Sequence, residues 1–118
     1  MSIRVLGLIG IGLLLSGCAT TGSRWHAAQQ QDTVAAYKAF LLKSPDSKYA
    51  AAARGRIEQL KFEQATQACT VQALQGYLRE YSQGDHAAQA KERIEDLDWA
   101  QAKRANTVQS YDLYLKDY

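Results

Sequence analysis

One proline, at position 45, is all that this 118-residue chain contains, and four of its eight glycines fall before residue 18. The remaining hundred residues therefore carry few helix breakers, which favours long uninterrupted helices over a turn-rich sheet protein. Two cysteines exclude a disulfide-stapled scaffold. Two histidines, His26 and His86, stand far apart, and neither has a second ligand three or four residues away. They read as surface residues, and no metal site is expected. No H-E-x-x-H, glycine-rich phosphate loop or G-x-S-x-G occurs. The net charge is only +2, with acidic and basic residues mixed along the chain. That balance argues against nucleic acid as a partner. Apolar residues make up 47% and charged ones 22%, so a folded core is expected rather than disorder.

Long apolar runs are also missing. The longest, Val5 to Leu15, holds about eleven residues and is broken by Gly7, Gly10 and Gly12. A spanning helix needs roughly 20. Preceded by Arg4 and followed by Ser16, Gly17 and Cys18, the run has the layout of a secretory leader. Leu15-Ser16-Gly17-Cys18 resembles a bacterial lipobox. The resemblance implies that the Cys18 thiol is alkylated by diacylglycerol and that signal peptidase, reading Leu15, Ser16 and Gly17, cuts before it. The alternatives are an ordinary leader cut at an A-x-A-like site, or a short anchor. In the lipobox reading residues 1–17 are removed. Acylated Cys18 then holds the chain to membrane lipid, and residues 18–24 form a flexible tether. Ala19 stands where retention in the inner membrane usually needs aspartate. The resemblance thus points to the outer membrane, facing the periplasm.

What the chain has in abundance is internal likeness. A shift of 37 residues, without gaps, aligns Trp25, Phe62 and Trp99, and Thr33, Thr70 and Thr107. It also aligns Val34, Val71 and Val108; Tyr37, Leu74 and Tyr111; Phe40, Tyr77 and Tyr114; and Leu41, Leu78 and Leu115. Each unit reads as a short helix and a long one. Val34, Tyr37, Phe40 and Leu41 share one helical face. Asp32 or Thr33 can cap its start, and Pro45 stops it just beyond Lys43. Ala50, Ala53, Ile57, Leu60, Gln64 and Ala68 form a stripe on the long helix, expected over residues 47–67 and again over 84–104. Phe62 and Ala65 lie off that stripe, as in a helix packed on two sides. The order is a half unit from Arg24 to Gln31, then short, long, short, long and short helices ending at Tyr118. This order predicts an all-α right-handed α-solenoid of helical hairpins over residues 25–118.

The pattern Asp32-Thr33-x-x-Ala36-Tyr37-x-x-Phe40-Leu41, Ser44-Pro45-Asp46-Ser47-x-Tyr49-Ala50, Ala53-Arg54-x-Arg56-Ile57-x-x-Leu60 resembles the tetratricopeptide-like repeats of bacterial envelope proteins, among them outer-membrane-assembly lipoproteins. The period is 37 rather than about 34, so the likeness is to the repeat class. It implies a helical hairpin array used for protein–protein contact, which makes an envelope scaffold the leading expectation; the alternative is a structural spacer associated with the cell wall. No cofactor and no catalytic residue is expected. Glu58, Glu92, Glu95, Asp96 and Asp98 alternate with Arg and Lys and read as a solvated face. Cys69 aligns with Asp32 and Asn106 at a helix junction. Trp25, Phe62 and Trp99 read as core. Tyr81, Tyr111, Tyr114 and Tyr118 are the candidate contacts for an unidentified envelope protein, or for self-association through the C-terminal end.

Overall fold

The computed structural model describes residues 19–118, so Leu15, Ser16, Gly17 and Cys18 lie outside the described residues. The described chain is all-helical: α1 (Thr21–Gln31), α2 (Val34–Lys43), α3 (Ala50–Ala68), α4 (Val71–Glu80), α5 (Ala87–Ala105) and α6 (Val108–Asp117). The main contacts join each helix to its neighbours in chain order. No helix among the described residues is long and apolar enough to cross a membrane.

Local chemistry sets the boundaries. Thr33, Thr70 and Thr107 have extended backbones, and each hydroxyl accepts from the N–H three residues on, at 3.1, 3.2 and 3.1 Å. This satisfies one of the free N–H groups at each helix start. The residue before each threonine, Asp32, Cys69 or Asn106, is left-handed with φ of 46°, 53° and 46°. A single left-handed residue ends one helix and the next threonine starts another, so the junctions are tight. At the other end of each short helix, Ser44 and Tyr81 close on the carbonyls of Phe40 and Tyr77. Two successive turns follow, Ser44–Ser47–Ala50 and Tyr81–Gly84–Ala87. These turns occupy the residues expected to open the long helices, which therefore start at Ala50 and Ala87 rather than at 47 and 84. The second turn forms without proline.

Residues 21–24, expected in the tether, are the first turn of α1. The Thr20 hydroxyl caps it by accepting from the Ser23 N–H at 3.1 Å. The long-helix stripe differs from expectation at Gln64 and Ala68, which are exposed, and at Glu58, which is buried; Phe62 and Ala65, expected on a second packed face, are buried together with Ala50, Ala53 and Ile57. The buried face swings round at Ile57–Glu58 because the first half of α3 packs on α2 and the second half on α4. Two apolar clusters result. Tyr37, Phe40, Ala53 and Ile57 pack with half-buried Trp25 in the first, and Phe62, Ala65, Leu74, Tyr77 and Ala90 form the second. Ala53 and Ala90 are wholly buried. Their missing side-chain bulk lets the short helix approach the start of the long one. Each large buried side chain, such as Leu74, contributes about 1.5–3 kcal/mol.

Candidate contact surface at the C-terminal end

The aromatic at positions 25, 62 and 99 is the centre of each unit. Trp25 is covered by Tyr49, whose ring stacks on it at 5.3 Å and 7°. Phe62 is covered in the same way by His86, at 4.7 Å and 17°. Each covering ring lies 24 residues further along, in the turn that opens the next long helix. Nothing in the described chain stands in that position for Trp99, which is 39% exposed. It contacts Tyr111 at 5.8 Å and Tyr114 at 5.0 Å on one side, and the Lys103 ammonium lies 5.4 Å from its ring centre. The expectation of a core residue holds for Phe62, is half met by Trp25 and fails at Trp99. Burial there would need a further layer.

Two of the four candidate tyrosines, Tyr111 and Tyr114, contact Trp99, and a third, Tyr118, packs on Tyr114. Tyr111 donates to Asn106 Oδ1 at 3.2 Å, Tyr114 to Glu95 Oε1 at 3.0 Å, and Tyr118 to Asp98 Oδ2 at 2.9 Å while stacking on Tyr114 at 4.9 Å. Partial burial and the Glu95 carboxylate raise the Tyr114 pKa. Burial and Asp98 raise that of Tyr118 to about 12. Both hydroxyls thus stay protonated donors at neutral pH. Tyr81 lies elsewhere, half-buried and stacked on Tyr77. Val108, Leu113 and Leu115 are exposed on α6. A shallow depression of about 350 Å³ is lined by Glu95, Asp96, Trp99, Tyr114 and Leu115.

The closed counterpart of this depression shows what its groups do when covered. Glu58, in register with Glu95, was expected on a solvated face but is 7% exposed. Its Oε1 accepts from the Tyr77 hydroxyl, from the His86 backbone N–H at 3.2 Å, and lies 3.3 Å from His86 Nδ1. Burial alone would raise its pKa, but the bonds from Tyr77 and His86 outweigh burial and hold it below the usual carboxylate value. Burial and Glu58 push the Tyr77 hydroxyl up. His86 is accordingly half-buried and engaged, not the free surface residue expected; His26 is exposed. Gly84 belongs to this cluster because a Cβ there would fall 2.5 Å from Glu58 Oε1.

The register explains a second set of residues. The Arg56 guanidinium donates twice to Asp32, at 2.9 and 2.6 Å, and Tyr37 donates to the same carboxylate at 3.0 Å. In the middle unit Cys69 and Leu74 replace Asp32 and Tyr37, so carboxylate and hydroxyl vanish together. Cys69 is a free, exposed thiol bordering a small pocket of about 80 Å³ with Leu74 and Arg93. Among the described residues no group of three or more His, Cys, Asp or Glu side chains is placed to hold a metal. No protein-family model, curated protein or solved structure matches this chain.

Proposed function

We propose that this chain is a lipoprotein of the bacterial envelope that binds another envelope protein through its C-terminal end. Cys18 carries the lipid anchor, and the anchored domain faces the periplasm from the outer membrane. Its helices form a tetratricopeptide-like, right-handed α-solenoid fragment without catalytic chemistry. The lipobox-like Leu15-Ser16-Gly17-Cys18 and the short apolar leader support the anchor. One observation carries the binding reading: among the described residues Trp99, Val108, Leu113 and Leu115 are exposed large apolar side chains gathered on α5 and α6, while Trp25 and Phe62 are each covered by a stacked ring. An exposed apolar patch on a folded domain marks an interaction surface.

Two measurements test the proposal. Mass spectrometry of the membrane-extracted protein should show an acylated N-terminal cysteine; an intact leader, or a Cys18→Ser variant that still fractionates fully with membranes, overturns the anchor. Crosslinking in intact cells should capture a stoichiometric envelope protein, and a Tyr111→Ser, Tyr114→Ser double variant of unchanged helicity should lose it. Sedimentation with isolated cell wall, without any crosslinked protein, would instead favour a structural spacer.

A further inference from the structure

Resting on the lipid anchor proposed above, we infer that the groove between α1 and α2 seats phosphate groups of anionic phospholipid in the membrane that holds the anchor. The same groove recurs between α3 and α4 and between α5 and α6. Arg24 and Lys43 line the first, Lys61 and Glu80 the second, and Asp98 and Asp117 the third, each pair in the same register. In the second groove the two side chains meet in an ion pair at 2.7 Å. The first groove has two cations where the second has a cation and a carboxylate. Like charges so placed repel unless an anion comes between them.

The described residues supply no such anion. α1 and α2 carry one carboxylate, Asp32, and Arg56 of α3 holds it with two hydrogen bonds. Neither Arg24 nor Lys43 is in a salt bridge among the described residues, and neither is Asp46, just beyond them. Lys38, the remaining cation of these two helices, lies close enough to Glu80 to help lower its pKa. The rest of the first groove, about 380 Å³ in all, is walled by alanines and Phe40, with Gln31 its one other polar side chain.

The position of the anchor selects the source of the anion. Arg24 lies in the first turn of α1 and Lys43 in the last turn of α2, which runs back antiparallel to it. Both cations therefore stand at the end of the pair nearest Cys18. Three residues separate Cys18 from Thr21, where α1 begins, a span of at most about 10 Å. Headgroups around an acylated Cys18 are thus always within reach of the groove. The third groove responds in the opposite sense. Asp98 and Asp117 line it, and α5 and α6 together hold one carboxylate more than cations even with Lys103, Arg104 and Lys116 counted. An anionic surface draws the first groove in and repels the third, which tilts the C-terminal end away from the membrane and leaves it free. The third groove of a second copy has the charge to compete for Arg24 and Lys43, but the anchor keeps phosphate at a far higher effective concentration.

The test uses the acylated protein in vesicles of phosphatidylcholine, either alone or with phosphatidylglycerol as the minor component, and a dansyl acceptor on a lipid headgroup. A Trp99→Phe chain reports from Trp25, next to Arg24. Energy transfer from Trp25 should rise in the anionic vesicles and fall back in high salt. Arg24→Gln with Lys43→Gln, at unchanged helicity, should lower the equilibrium constant of the seated state about 25-fold, about fivefold for each cation. Arg24→Lys with Lys43→Arg should keep the rise. Equal transfer in neutral and anionic vesicles, or a rise that survives the glutamine pair, overturns the inference while the anchor stands. If mass spectrometry finds no acyl group on Cys18, the anchor falls and the inference falls with it. A rise that follows protein density instead of lipid charge, with a carbodiimide crosslink from Lys43 to Asp117 of another copy, makes a second copy the occupant and overturns the choice of lipid.

Discussion

Replacing Gly84 with alanine should destabilise the protein through one carboxylate oxygen. The added Cβ would lie 2.5 Å from Glu58 Oε1, 3.0 Å from its Cδ and 3.1 Å from the Tyr77 hydroxyl oxygen. The oxygen cannot simply retreat, because it accepts from Tyr77 and from the His86 backbone N–H and faces the His86 ring. Either the turn moves off α3, or the carboxylate swings out and abandons those partners. Overpacking of this kind costs about 1–3 kcal/mol, and losing a hydrogen bond to a charged group costs about 1.5–3 kcal/mol. The two are alternative responses and do not add. Alanine would return about 0.4–1 kcal/mol by restricting the unfolded chain. The net loss should be about 1–2 kcal/mol, which lowers a urea midpoint followed by far-UV circular dichroism by about 1 M. The first unit indicates the cure. Thr21, Phe40 and Ser47 stand in register with Glu58, Tyr77 and Gly84, so the carboxylate, the hydroxyl and the glycine are replaced together. Glu58→Thr alone should also destabilise. Combined with Gly84→Ala it should cost less than the sum by more than about 1 kcal/mol, the range for residues in contact. A midpoint unchanged by Gly84→Ala, or strict additivity of the pair, would refute the reasoning.

Cys69→Asn should stabilise by up to about 1 kcal/mol in the same titration, because asparagine adopts the left-handed backbone more readily than cysteine; a clear loss would mean that the thiol itself contributes to packing. Stability should also fall with acid through Asp32. Hydrogen bonds from Arg56, and then from Tyr37, lower its pKa from 3.8 to about 2. A depressed pKa means that the folded state favours the carboxylate, so the contribution is complete above about pH 4, the unfolded value, and is lost as pH falls toward 2. An Asp32→Asn variant should show a flatter stability profile across that window, and parallel profiles for parent and variant would exclude the assignment.

Much of the fold follows from interactions between residues close in sequence. The threonine caps, the left-handed Asp32, Cys69 and Asn106, the stop after Lys43 and the ten-residue short helices all rest on bonds spanning three or four residues. Such bonds recur wherever the same side chains recur, which is why a 37-residue shift marks them. The extra turns that delay α3 and α5 are local too, but their three-residue bonds leave no apolar pattern to read.

Burial was decided at longer range. Glu58 sits among Arg and Gln as an ordinary surface carboxylate would, and only packing brings Tyr77, 19 residues on, and His86, 28 residues on, to its oxygen. Low exposure then makes those bonds strong enough to hold the charge inside. Trp25 and Phe62 make the same point, since each is covered only because a ring 24 residues further along folds back over it. The sequence by itself determined where helices start, stop and reverse, because those choices are settled within a turn of backbone. The tertiary structure alone decided which ring stacks on Trp25 and on Phe62 and that the Glu58 carboxylate is buried, because covering a side chain takes a second element from a distant part of the chain.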